Sequence, residues 1–375
     1  MRKIHMVDLK SQYDKIQSEI DSAVVDVIRS TQYINGPEVL AFQKELEAYL
    51  GVKHVIPCAN GTDALQVAMM ALGLKPGDEV ITTSFTFVAT VEVIALLGLT
   101  PVLVDVLPDT FNIDPEAVSK AITPQTKAIV PVHLFGQCAD MDSLMQIAKT
   151  HGLYVIEDNA QAIGADFLFG DGRRQKAGTI GDIGCTSFFP AKNLGCYGDG
   201  GAIFTNNDEL AKAMRVIVNH GMEVRYYHDL VGVNSRLDSV QAAILRVKLR
   251  YLDEYIRNRQ RAADFYDEAF ADQSGLTIPV RSKNSTHVFH QYTLKTHGID
   301  RFELQAYLME RGIPAMVYYP VAMHMQKAYL DPRYKEGDFP VTEELSKQVI
   351  SLPMHTELDS EQLAYITFTV NDFFN

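Results

Sequence analysis

Short apolar runs alternate with segments of helical period along most of the first 250 residues. Leu9 to Leu50 reads as mostly helix, with Ile16, Ile20, Val24 and Ile28 at four-residue spacing and a break at Ile34-Asn35-Gly36-Pro37. That break is a candidate functional loop. Strand-like runs follow at His54 to Ala59, Glu79 to Thr83, Pro101 to Val106, Ala128 to Leu134, Leu153 to Ile156, Thr186 to Phe189 and Ala202 to Thr205, which makes seven candidate strands. Most are near-continuous Val/Ile runs, the pattern of strands covered on both faces, and helices separate the early ones. The pattern predicts an α/β lobe built on a mainly parallel sheet. Helical runs at Asp208 to Ile217 and Ser239 to Arg261 lead into helices and shorter strands, Gln291 to Leu294 and Ala315 to Tyr318, which predicts a smaller α+β lobe. The expected division is a large domain over 1–250, N-terminal helical segment included, and a small one over 251–375.

Composition narrows the classes of partner. A chain of 375 residues with 47% hydrophobic positions can bury more than one core, in keeping with two lobes. The net charge of -13 sets aside a nucleic-acid backbone, so any anionic ligand must be held locally. Cys58, Cys138, Cys185 and Cys196 form no CxxC or zinc-like spacing, and no metal site is expected. Three of them lie in or beside apolar runs, which points to reduced thiols and a cytoplasmic address. The opening MRKIHMVDLKSQYDK lacks the apolar core of a signal peptide, and no apolar run reaches membrane-spanning length.

Three features carry candidate chemistry, and each falls at the end of a predicted strand, where ligands of parallel sheets sit. After the first strand comes Asn60-Gly61-Thr62-Asp63, opening a helix. It is either a plain N-cap or an anion site made of free N-H groups and the helix dipole. Asp158, in VIEDNAQAIGA, ends an apolar strand; it either caps the following helix or pairs with a cation such as a pyridinium nitrogen, with Gln161 within reach of the same ring. Lys192, between the last two strands, is either an ordinary loop lysine or an amine held in a dry pocket, where lost hydration favours the neutral, nucleophilic form. The stretch HGMEVRYYHDLVGVNSRLD is a polar, aromatic loop that is either solvated surface or a reach into a site, this chain's or a neighbouring subunit's.

Together these features resemble fold-type I pyridoxal-phosphate enzymes of the aspartate-aminotransferase kind, and most closely the DegT/DnrJ/StrS family of nucleotide-sugar aminotransferases. The resemblance covers essentially the whole chain through QYINGPEV (32–39), CANGTDALQ (58–66), EDNAQAIGA (157–165), SFFPAKNLGCYGDGGAIFT (187–205), GVNSRLDSVQAAIL (232–245) and SLPMH (351–355). It implies pyridoxal 5'-phosphate bound covalently at Lys192, with Asp158 on the pyridine nitrogen and Gln161 near the phenolic oxygen. It further implies Thr62, Ser187 and the backbone at Gly61 as phosphate ligands, Asn234 reaching the phosphate from the partner of a homodimer with shared sites, and Phe87 stacked on the ring. Before the resemblance is invoked, Phe87 reads equally as a strand-end core residue.

The implied reaction moves the amino group of glutamate to a keto group on a nucleotide-linked sugar, for surface polysaccharide or amino-sugar biosynthesis. Relatives that dehydrate deoxysugars carry histidine at the lysine position, so Lys192 points to transamination. The form KNLGCYGDGG is similar to enzymes of 3-oxo sugars, with the branch acting on UDP-2-acetamido-3-oxo-glucuronate nearest. Arg236, Tyr318, Tyr319 and His324 are the expected substrate contacts. That branch carries a His-Tyr pair before proline where this chain reads Tyr318-Tyr319-Pro320, so a neutral 3-oxo sugar on UDP or dTDP stays open beside a uronate. Other readings are a 4-oxo-6-deoxy-sugar aminotransferase, a non-catalytic cofactor-bound sensor, for which no DNA-binding module is seen, and an enzyme of free amino acids, which expects an arginine clamp.

Overall fold

All seven candidate strands form one sheet in the computed structural model, which describes residues 1–374. Strands β1 (His54–Cys58), β2 (Glu79–Thr83), β3 (Thr100–Val104), β4 (Thr126–Val130) and β5 (Tyr154–Asp158) alternate with helices. A hairpin of β6 (Asp166–Leu168) and β7 (Arg174–Lys176), too short to read in the sequence, stands apart from the sheet. Strands β8 (Ile183–Ser187) and β9 (Gly201–Thr205) then complete the sheet in the order β1-β9-β8-β5-β4-β2-β3. Every pairing from β8 to β3 is parallel, and only β9, inserted between β1 and β8, runs the other way.

The apolar runs are continuous because each face of the sheet has its own core. Val55, Ile81, Ile129, Val155 and Phe204 point into one cluster, closed by the helix Pro37–Leu50 through Phe42 and Leu46. Their sequence neighbours Ile56, Val80, Val130, Ile156 and Ile203 point into the other, against Leu65, Val67 and Met69 of the helix Gly61–Ala71. Side chains buried this fully contribute about 1.5–3 kcal/mol each. Some of the expected strands end early: Val106 lies beyond β3, Leu134 beyond β4 and Phe189 beyond β8. β8 starts at Ile183 and ends at Ser187, so Phe189 lies beyond the strand and is exposed.

After a hairpin of β10 (Met222–Val224) and β11 (Tyr227–His228), the long helical run divides into helices Ser239–Leu249 and Leu252–Phe270. The latter serves two cores: Leu252 and Ile256 join the first sheet cluster, whereas Ala262, Ala263, Tyr266 and Phe270 join a third. That third core surrounds an antiparallel sheet of β12 (Leu276–Thr277), β13 (Tyr292–Thr296) and β14 (Val349–Leu352). The expected strand Ala315 to Tyr318 is not one. Only Met316 makes a bridge, to Ser351, and the segment instead turns its tyrosines towards the large sheet, where Tyr318 and Tyr319 pack near Phe85 and Phe135.

Gly201 is one of the tight points of the sheet. It pairs with Cys58 on one side and Ser187 on the other, and a Cβ there would come within 2.4 Å of the Asn60 backbone. Backbone cannot swing aside as a side chain can, so Gly201→Ala is expected to destabilise by about 1–3 kcal/mol. An unchanged thermal midpoint would show that β1 yields freely.

Candidate active site

The carboxyl ends of β1, β2, β5 and β8, and the start of β9, surround a cavity of about 800 Å3. Its first wall is built around a helix start. Asn60 caps the helix Gly61–Ala71 by accepting from the Asp63 N-H at 2.8 Å, so the N-H groups of Gly61 and Thr62 remain without intrahelical acceptors at the cavity edge. A Cβ on residue 61 would lie 2.7 Å from Ser187 Cβ. Glycine there lets β8 approach, which sets the hydroxyls of Thr62 and Ser187 on the same wall. Such a cradle suits a phosphate.

Asp158 ends β5 in the cavity floor, almost wholly buried. Thr90 donates to its Oδ2 at 2.8 Å and the Ala160 N-H to its Oδ1 at 3.1 Å. No side-chain cation touches it. Burial pushes its pKa above the usual carboxylate range, while the two hydrogen bonds and the charge of Lys192 pull it back. A buried carboxylate served only by neutral donors is a site for a ligand cation, and a protonated pyridine nitrogen fits it. Its neighbour Glu157 points the opposite way, sealed in the core by Gly178, Ile180 and Gly181 N-H groups and by His133 Nε2 at 2.8 Å, so it takes no part in the cavity.

Lys192 reaches the cavity from the loop between β8 and β9, its backbone N-H donating to Phe189 O at 2.8 Å. Surrounding protein strips its ammonium of water and lowers its pKa to about 8, with the Asp158 charge acting in the opposite direction. Both protonation states are therefore accessible near neutral pH. The amine, the lone carboxylate and the anion cradle together fit pyridoxal phosphate, with its aldehyde, ring nitrogen and phosphate.

The remaining expected residues divide into those in the cavity and those outside it. Gln161 lines it and is fixed at both ends, Oε1 accepting from the Phe135 N-H at 2.7 Å and Nε2 donating to the Tyr319 hydroxyl at 3.0 Å. Tyr318 and Tyr319 line it too, and burial raises both phenol pKa values. Phe87 is no core residue: it is 55% exposed, at the cavity wall, with its ring 6.3 Å from that of Tyr319. His324 does not reach the cavity; it is buried between Ser84 Oγ at 2.8 Å and Glu343 at 3.1 Å, which occupy both ring nitrogens. Asn234 is exposed and Arg236 half-buried, and neither lines this chain's cavity. Their segment does sit against the cradle, since Ser235 Oγ accepts from the Ala59 N-H at 3.1 Å.

Sequence reasoning missed Thr90, the partner of Asp158, and also His290 and Gln291, which line the cavity from the smaller lobe. Thr90 stands in the apolar run FVATVEVIAL, where a buried hydroxyl signals a partner, and His290 precedes a strand that the apolar pattern located. No arginine is among the described residues lining the cavity, so the clamp expected for an enzyme of free amino acids is not built from this chain.

Comparison with known proteins agrees with this geometry. A pleiotropic regulatory protein of Geobacillus stearothermophilus is 47% identical over 373 residues, covering 99% of this chain and 98% of that one. The UDP-2-acetamido-2-deoxy-3-oxo-D-glucuronate aminotransferase of Pseudomonas aeruginosa is 48% identical over 363 residues, covering 97% and 98%. Among solved structures, that of Streptomyces venezuelae DesV in complex with a ketimine intermediate superposes with a TM-score of 0.95 at 39% identity, covering 100% of this chain and 99% of DesV. The model of the DegT/DnrJ/EryC1/StrS aminotransferase family matches residues 14–371, and the chain belongs to that family.

Proposed function

We propose that this protein transfers the amino group of glutamate to the keto carbon of a UDP- or dTDP-linked 3-oxo sugar, with UDP-2-acetamido-2-deoxy-3-oxo-glucuronate the leading candidate. The observation that carries the reading is a lysine amine with a pKa of about 8 sharing a cavity of about 800 Å3 with a buried carboxylate that has no side-chain cation. The similarity to the Pseudomonas 3-oxo-glucuronate aminotransferase supports the choice of sugar. The name of the Geobacillus relative raises a regulator as a second reading, against which the lysine stands intact.

Bound pyridoxal phosphate supplies an electron sink for the carbon that loses its proton. The protein's own groups do the rest. Gly61, Thr62 and Ser187 would hold the phosphate and Asp158 would keep the ring nitrogen protonated, while Thr90 and the Ala160 N-H keep Asp158 in place. Gln161, steadied by Tyr319, would serve the phenolic oxygen, and Phe87 would supply an aromatic surface for the ring. Lys192 Nζ takes the proton from the reacting carbon in one half-reaction and delivers it in the other, a task for which its lowered pKa suits it. Asn234 and Arg236 act on the cavity of a second copy, Asn234 on the phosphate and Arg236 on the sugar or its carboxylate. This makes the protein a homodimer with shared sites. Four buried, unpaired thiols and the absence, among the described residues, of a helix apolar enough to cross a membrane support placing it in the cytoplasm.

The purified protein with bound cofactor is expected to lose its visible absorbance band on adding glutamate and to regain it with one member of a panel of UDP- and dTDP-linked 3-oxo and 4-oxo sugars. Bleaching that no keto sugar reverses would refute the proposed acceptor, and recovery with a 4-oxo sugar alone would move the new amine to carbon 4. In cofactor-free protein, labelling of Lys192 by an amine-reactive reagent, read by peptide mass spectrometry, is expected to be half-maximal near pH 8 and to fall about tenfold per unit below. Asp158→Asn removes the charge that favours the ammonium, so its midpoint moves lower. A midpoint near that of a solvated lysine, about 10.4, would contradict the dry pocket. For the shared site, mixing inactive Asn234→Ala and Lys192→Ala proteins is expected to restore part of the activity through heterodimers; no recovery despite demonstrated subunit exchange would refute it.

A further inference from the structure

His290 lines the same cavity as Lys192, yet nothing in the protein engages it. It is 7% exposed and, among the described residues, its imidazole makes no side-chain hydrogen bond; Nδ1 is sealed from solvent, which leaves Nε2 as the nitrogen a ligand can reach. A cavity-lining nitrogen without a protein partner is open to one from a ligand. This one is also held firmly. Arg259, buried in the smaller lobe, donates from Nη1 to the carbonyls of Phe289 at 3.1 Å, His290 at 3.4 Å and Met354 at 2.9 Å. Asn193, next to Lys192, donates to Val288 O at 2.9 Å, and the Gln291 N-H to Phe135 O. The segment bearing the histidine is thus tied to the lysine loop through Val288 and to the turn at Phe135 through Gln291.

Charge decides what such a group can hold. Burial drives the imidazole pKa far below its ordinary value, and the nearby Lys192 and Arg259 charges push the same way. His290 is therefore neutral throughout the working range, with one donor and one acceptor. A carboxylate would call for a cation; a neutral imidazole matches a neutral hydroxyl or carbonyl oxygen. Resting on the nucleotide-sugar reading above, we propose that His290 is a substrate-contacting residue that hydrogen-bonds a neutral oxygen of the sugar beside the reacting carbon and takes no part in holding glutamate.

The two half-reactions separate these roles. Holoenzyme is mixed rapidly with glutamate and, after loading with the amine, with the UDP- or dTDP-linked 3-oxo sugar that wild type accepts, each half followed by absorbance. His290→Phe is expected to slow the sugar half about 10–100-fold and to leave the glutamate half within about twofold. His290→Gln, which keeps a donor and an acceptor, is expected to recover most of the loss. Calorimetry supplies a readout free of turnover. The amine-loaded His290→Phe protein is expected to bind UDP-N-acetylglucosamine about tenfold more weakly than wild type and UDP equally well, with dTDP-glucose and dTDP as the pair where the thymidine substrate is the one accepted. Equal slowing of both halves, a change in neither, or a Gln variant as poor as Phe would overturn the proposal. If the Phe variant does not fold, a Gln variant with wild-type halves is expected and one impaired in the glutamate half overturns it. Wild type inactive with every sugar would instead defeat the parent reading.

Discussion

A carboxylate buried without a cationic side chain sets the terms for the working end of this molecule. Asp158 is kept in place by Thr90 and the Ala160 N-H, both neutral, so the protein alone leaves its charge poorly compensated. On the proposed reading a ligand cation relieves that cost, which would couple cofactor binding to stability. The same charge acts on Lys192, opposing the desolvation that lowers its pKa. One unfavourable burial thereby shapes both the cavity floor and the lysine amine.

How far this could be read from the chain depended on how local the signal was. Two-sided burial made the strands legible: Val55 and Ile56, or Val155 and Ile156, face opposite cores, and the result in sequence is an unbroken apolar run. Lys192, Asp158 and the Gly61 turn were legible because they follow such runs directly. Thr90 and His290 were not, since their meaning comes from partners 68 residues away for Thr90 and, for His290, from the opposite lobe. Ala315 to Tyr318 has strand-like composition, but tertiary packing of its tyrosines beside Phe85 and Phe135 overrides that preference. His324 is expected at the substrate from the resemblance alone, whereas in the fold Ser84 and Glu343 claim both of its nitrogens.

The smaller lobe is more than a lid on the larger. Helix Leu252–Phe270 shares its residues between the two cores, and Arg259 near its middle carries a guanidinium whose pKa burial lowers to about 10. That guanidinium spends its hydrogen bonds on backbone carbonyls rather than on a carboxylate, which makes it a clamp for the segment bearing His290 and Gln291. Cavity shape on this side depends on how the two lobes meet.

The insertion of β9 between β1 and β8 also has a cost in time. β1 is an edge strand whose single partner arrives about 150 residues later in the chain. At ribosomal rates of about 5–20 residues per second, β1 stands with unpaired N-H and C=O groups for roughly 10–30 s. The phosphate cradle cannot set until Gly201 closes against Asn60. The nascent chain therefore exposes a bare strand edge during synthesis, and a chaperone that shields it would act before any cofactor can bind.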